Sequence, residues 1–131
     1  MKNPIILFSL ICIAFAGCKK EPGVGGDAEI KGQVWKYQLN GSLTDTIADY
    51  AAEDVYVYIV YGDNSGFDKR VKTDYNGNFR FPYLYEGKYT LYTYSFDPYA
   101  LDGQSPVIQE ITIEDRKEVI ELERMNILAE P

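Results

Sequence analysis

From Glu29 onward, apolar and polar residues alternate with period two, the spacing of strands that bury one face, and do not recur every three or four positions as in a helix. In "EIKGQVWKY" (29–37), Ile30, Gly32 and Val34 share one side and Lys31, Gln33 and Trp35 the other. "DVYVYIVY" (54–61) sets Val55, Val57, Ile59 and Tyr61 against Tyr56, Tyr58 and Val60. "KRVKT" (69–73) is short and mostly polar, and "NFRFPYL" (78–84) places Phe79 and Phe81 together, with Pro82 marking an edge or a strand end. "KYTLYTYSF" (88–96) opposes Tyr89, Leu91 and Thr93 to Thr90, Tyr92 and Tyr94. "VIQEITI" (107–113) and "EVIELERMNI" (118–127) follow; in the latter Val119, Glu121 and Glu123 alternate with Ile120, Leu122 and Arg124. The one helix candidate is "DTIADYAAED" (45–54), a turn or two inside a loop. Seven β-branched and aromatic runs separated by Gly, Asn, Asp or Pro predict an all-β, seven-stranded antiparallel sandwich.

The first seventeen residues have a different character. Lys2 precedes the apolar run "PIILFSLICIAFA", and small residues stand just before Cys18, which is the layout of a secretory signal too short for a spanning helix. Ala16-Gly17-Cys18 resembles the lipobox of bacterial lipoproteins, with Phe15 where Leu is more usual. The resemblance implies that residues 1–17 are removed and that Cys18 becomes the first mature residue, carrying acyl chains that hold it to a membrane. "KKEPGVGGD" (19–27), rich in Gly and lacking apolar periodicity, then forms with Cys18 a flexible tether over 18–27, and the domain occupies 28–131. Lys19, where an Asp would mark inner-membrane retention, implies the bacterial outer membrane; with Glu21 the only acidic residue nearby, the face of that membrane stays open.

Composition narrows the chemistry. The chain contains no His, and of its two cysteines the lipobox resemblance implies that Cys12 leaves with the signal and that Cys18 is alkylated. The commonest general base and the thiol nucleophile are therefore both missing, and no metal or cofactor is expected. Ser42, Ser65, Ser95 and Ser105 have no His to activate them. The carboxylate pairs Glu53-Asp54 and Glu114-Asp115 sit at strand ends, where charge discourages edge pairing. A net charge of −7 repels phosphate backbones, so nucleic acid is not an expected partner.

"TDYNGNF" (73–79) places Asp74, Asn76 and Asn78 around Gly77 and could hold calcium or close a hairpin. An EF-hand-type loop counted from Asp74 would need Gly sixth and Glu twelfth, where Phe79 and Tyr85 stand. Asn76-Gly77 instead suits the tip of a β-hairpin, with Asp74 bonding to nearby backbone amides. The loop "GDNSGFD" (62–68) is similarly rich in oxygen but lacks regular ligand spacing. The order "IKGQV", "EDVYVYI", "KTDYNGNFRFPYLYEGKYTLYTYS" resembles the carboxypeptidase regulatory-like family, with Thr73, Asp74, Gly77, Phe79, Leu84, Gly87, Tyr89 and Leu91 filling its pattern. The resemblance implies a Greek-key sandwich of transthyretin or prealbumin type, without catalysis of its own, in which Asp74, Asn76, Gly77 and Gly87 shape turns.

Twelve tyrosines and one tryptophan exceed the needs of so small a core. Strand parity turns Trp35, Tyr37, Tyr56, Tyr58, Tyr92 and Tyr94 away from the Ile30/Val55/Leu91 side. Adjacent strands would gather them into a surface for a sugar or a protein; otherwise they serve as cross-strand pairs that stabilise the sheet. The expected function is a lipid-anchored binding or scaffolding module of the outer envelope that engages a protein or polysaccharide, or alternatively a carbohydrate-binding module using those Tyr and Trp side chains.

Overall fold

The computed structural model describes residues 20–131; the expected signal at 1–17 and Cys18 lie outside them. The strands are β1 (Val24–Leu39), β2 (Thr46–Ala51), β3 (Tyr56–Tyr61), β4 (Lys69–Lys72), β5 (Asn78–Leu84), β6 (Gly87–Phe96), β7 (Gln104–Ile113), β8 (Val119–Glu121) and β9 (Met125–Ala129). They form an all-β sandwich of two sheets with no helix among the described residues. In the first sheet β1 is central: β5 and β8 flank its first half, β2 and β9 its second. The second sheet runs β4-β3-β6-β7, antiparallel throughout.

The alternation read from the sequence is the burial pattern of the core strands. Ile30, Val34, Phe79, Phe81, Met125 and Ile127 of the first sheet face Val57, Ile59, Tyr89, Leu91 and Ile113 of the second, all essentially buried. Each such side chain stabilises the fold by roughly 1.5–3 kcal/mol. The Tyr89 hydroxyl, deep in this layer, donates to the Tyr85 carbonyl at 2.6 Å and accepts the Gly23 N–H at 2.9 Å.

Four features differ from the sequence reading. Residues 46–51, inside the helix candidate 45–54, form β2. Their apolar spacing is loosely helical, but the second half of β1 offers an unpaired edge, and the register Trp35↔Ala51 to Gln38↔Ala48 satisfies the β2 backbone there. The run 118–127 divides into β8 and β9, so with β2 nine strands stand among the described residues where seven were expected, and β8 and β9 pair with β1 in parallel, making the first sheet mixed. Part of the expected tether belongs to the fold. β1 begins at Val24, Gly23 is buried, and the Tyr85 N–H donates to the Gly23 carbonyl at 2.8 Å. Gly26 is a packing position there, since a Cβ would overlap the Leu84 carbonyl.

The fourth difference concerns "TDYNGNF". β4 lies in the second sheet and β5 in the first, so the turn carries the chain between sheets and closes no hairpin. Asp74 Oδ1 accepts the N–H groups of Asn76 and Asn78, each at 2.9 Å, and the Gly77 N–H donates to the Asp74 carbonyl at 2.9 Å. Of the Asn76-Gly77 pair only Gly77 has positive φ, at 76°. Its Cα lies against the Val34 carbonyl, and its own carbonyl accepts the Val34 N–H at 2.8 Å. Thr73, just before, is buried; its hydroxyl donates to the Ala52 carbonyl and accepts the Val55 N–H. Replacing Gly77 by Ala forces a Cβ into the Val34 carbonyl in a backbone region that L-residues avoid. We expect a loss of more than about 2 kcal/mol in urea unfolding of Gly77→Ala, whereas Asn76→Ala, which keeps the Asp74 contacts, loses less than about 1 kcal/mol.

Candidate functional site

The outward faces of β3 and β6 meet because these strands are neighbours, with Tyr58 directly opposite Tyr92. The register carries this row across the whole second sheet: Arg70 of β4, Tyr58 of β3, Tyr92 of β6 and Ile108 of β7. The Tyr58 and Tyr92 rings stack at 5.0 Å and 11°. Tyr94 stands edge-on to both, at 5.8 Å and 5.7 Å, and Tyr56 lies 6.2 Å from Tyr58. Phe67, reaching back from the β3–β4 loop, packs edge-on against Tyr58 at 4.9 Å. The Arg70 guanidinium lies 4.1 Å from the Tyr56 ring centre and the Lys72 ammonium 5.1 Å. Phe67, Tyr94 and Ile108 remain exposed. Packed pairs of this kind contribute about 0.5–1.5 kcal/mol each, so the cluster is a rigid surface as well as an apolar one.

Trp35 and Tyr37 do not join it. They belong to β1 and point outward from the other sheet. The Trp35 indole N–H donates to Asp49 Oδ1 at 2.8 Å, the Arg124 guanidinium lies 4.8 Å from its ring centre, and Arg124 Nη2 donates to the Tyr37 hydroxyl at 3.0 Å. The six aromatic residues singled out from the sequence thus form two patches, four residues on one sheet and two on the other. Phe67, Arg70, Lys72, Ile108 and Arg124 were missed. Arg70 and Lys72 alternate in "KRVK" as an outward pair should, but only strand register places them over Tyr56.

The oxygen-rich loops are occupied by their own backbone. Asp74 is committed to its turn, and in 62–68 Asp68 accepts the Tyr61 N–H at 2.7 Å and the Asn64 amide at 3.0 Å. No group of three or more His, Cys, Asp or Glu side chains suited to a metal occurs among the described residues. Gly87, at φ 140°, opens β6 beneath Pro22, where a Cβ would collide with the proline ring. No helix among the described residues is long and apolar enough to cross a membrane.

The sequence matches no protein-family model and no curated protein. Among solved structures, a proposed carbohydrate-binding protein of Pseudomonas aeruginosa aligns over 82% of this chain and 91% of its own, at 15% identity and a TM-score of 0.49. The minor pilin of Streptococcus agalactiae aligns over 85% of this chain and 46% of its own, at 16% identity and a TM-score of 0.44.

Burial raises the pKa values of Tyr89, Tyr61 and Tyr92 above the ordinary 10.0; Asp68 adds to the shift at Tyr61, and Tyr94 and Tyr58 add at Tyr92. A raised phenol pKa means that the folded state holds its proton more tightly than the unfolded state. The associated stability is complete below pH 10 and disappears as pH rises through the folded-state values. Resistance to urea is therefore expected to be pH-independent in this respect from neutrality to about pH 9 and to fall above pH 10. Tyr92→Phe should flatten that alkaline decline, and an unchanged slope would show that Tyr92 does not titrate late.

Proposed function

We propose that the protein is a lipid-anchored, non-catalytic docking module of the bacterial outer envelope, and that its docking face is the aromatic surface of the second sheet. The observation that carries this reading is the Arg70–Tyr58–Tyr92–Ile108 row, continuous across four strands and bordered by exposed Phe67 and Tyr94. A sugar-stacking platform offers broad ring faces to solvent. Here Tyr58 and Tyr92 cover each other, and Arg70 covers Tyr56. What remains outward is ring edges, hydroxyls and a cation, the Tyr- and Arg-rich makeup of protein–protein contacts. The absence of His from the sequence and the occupied acidic loops support a module without catalysis.

The anchor reading gains a geometric consequence. Only residues 19–21 separate Cys18 from Pro22, which packs against Gly87 and Gly62. The four Cα-to-Cα steps from Cys18 to Pro22 span at most about 14 Å, so acylation at Cys18 would hold the domain close to the bilayer with the β6 start toward the lipid. The β6–β7 tip would then face away, at the far end of a ten-residue strand. A glycan reading keeps one separate feature: Trp35 on the first sheet, a half-buried indole beside Asp49 and Tyr37 with Arg124 over one face of its ring.

Two measurements check these readings. The mature protein from cells should carry a mass excess from acyl chains on Cys18 that Cys18→Ser abolishes; an unacylated N-terminus ends the anchor reading. A photo-crosslinking residue in place of Ile108 should give one discrete protein adduct in intact envelopes, lost in Tyr94→Ala. Recovery of the uncrosslinked protein alone would count against docking through this sheet.

A further inference from the structure

The first sheet carries a cavity that borders the core at Phe79, Val71 and Leu122 and the docking face at Lys72. It is about 620 Å3, formed along β1 and β5 and reaching β4 and the β8–β9 link, and it collects four cations, Lys31, Lys72, Arg80 and Arg124, against two carboxylates, Asp74 and Glu121. That balance runs opposite to the whole chain, whose net charge is −7. One of the two carboxylates is already committed, since Asp74 Oδ1 accepts two turn N–H groups.

Register sharpens the point. Lys31 lies directly opposite Arg80 on one side and Glu121 on the other. Like charges placed opposite one another weaken a sheet. Arg80 is relieved by Glu29, through contacts of 2.8 and 3.3 Å. Lys31 is not relieved by Glu121: the ion pairs among the described residues are Arg80–Glu29 and Arg116–Asp27. Lys31, Lys72 and Arg124 therefore line the cavity without a carboxylate partner. Lys72 and Arg124 rest instead near the rings of Tyr56 and Trp35.

The volume far exceeds a simple inorganic anion and falls within the range of small-molecule sites, roughly 300–1,000 Å3. Phe79 and Leu122 give it an apolar part, and the Asn78 and Gln33 amides lie beside the cations. A ring with one apolar face, several hydroxyls and a carboxylate matches that set. We propose that the cavity binds an acidic sugar, a uronic-acid unit, with its carboxylate held among Lys31, Lys72 and Arg124. The proposal rests on the glycan reading only in placing a sugar on this sheet. A neutral glycan stacked on Trp35 would be insensitive to Lys31 and Lys72, so the two can fail separately.

The test is calorimetric titration of the detergent-solubilised full chain with digalacturonate, the matched neutral disaccharide and inorganic phosphate. Saturable binding is expected for digalacturonate alone, weakening with added salt and by about tenfold in each of Lys31→Ala and Lys72→Ala, the cost of one charge-assisted contact. Both side chains lie on the surface away from the core, and unchanged near-UV circular dichroism verifies the fold of each variant. Failure of digalacturonate to saturate, equal affinity for the neutral disaccharide or for phosphate, or indifference to both substitutions would overturn the assignment. Digalacturonate affinity is expected to survive in Trp35→Ala, since Trp35 does not line the cavity; its loss there would place the sugar on the indole and overturn the assignment.

Discussion

The first sheet depends on the backbone of β1. Its other four strands each pair with β1 and not with one another, so β1 supplies every ladder in that layer. Val34 marks the handover between the two strands on one side. Its N–H donates to the carbonyl of Gly77, just before β5 begins, and its carbonyl accepts the N–H of Ala52 just past β2. Gly77 has to be glycine for this to occur, because the turn that moves the chain from one sheet to the other presses its Cα against that same Val34 peptide. A defect at Val34 or Gly77 therefore disturbs a ladder on each half of β1 and the crossing between sheets together. Unpaired buried backbone groups are costly enough that such a junction is not easily rearranged.

The family-like pattern Thr73, Asp74, Gly77, Phe79, Leu84, Gly87, Tyr89, Leu91 can be accounted for residue by residue in the same terms. Thr73 ties the segments around Ala52 and Val55 together, Asp74 and Gly77 build the crossing, and Gly87 leaves room for Pro22. Phe79, Leu84, Tyr89 and Leu91 are core. Of the eight, only Asp74 and Phe79 also reach the cavity of the first sheet, and both are already committed, to the turn and to the core. Such a pattern records how two sheets are joined, and a search for function belongs among the residues between its positions.

Much of this was legible in the sequence, and the limits have identifiable causes. β5 and β6 could be read because each buries one face fully, so period two survives without interruption in Phe79/Phe81 and Tyr89/Leu91/Thr93. β2 could not, because its side chains are nearly all exposed and its strand form comes from the β1 edge. The break at 122–124 was hidden because Leu122 keeps the alternation and its N–H still reaches the Lys31 carbonyl at 2.9 Å. The outward aromatics were recognised by parity, yet parity states which face of its own strand a residue occupies and not which sheet it joins. Tyr56, Tyr58, Tyr92 and Tyr94 came together because β3 pairs with β6; Trp35 and Tyr37 stayed apart because β1 pairs with neither.

The distribution of charge completes the argument about where this molecule meets others. Apart from the phenol of Tyr89, which has hydrogen-bond partners within the fold, the buried core holds no titratable side chain. Every formal charge among the described residues thus lies at or near the surface, where its position is not dictated by packing. On such a surface an acidic excess needs little explanation, since it favours solubility. Basic side chains gathered over rings and beside one another do, because mutual repulsion opposes that arrangement. Arg70 and Lys72 over Tyr56, Arg124 over Trp35, and Lys31 opposite Arg80 follow this pattern on both sheets. The aromatic rings lower the cost of holding those cations without a carboxylate, which keeps them available to an anionic group brought from outside.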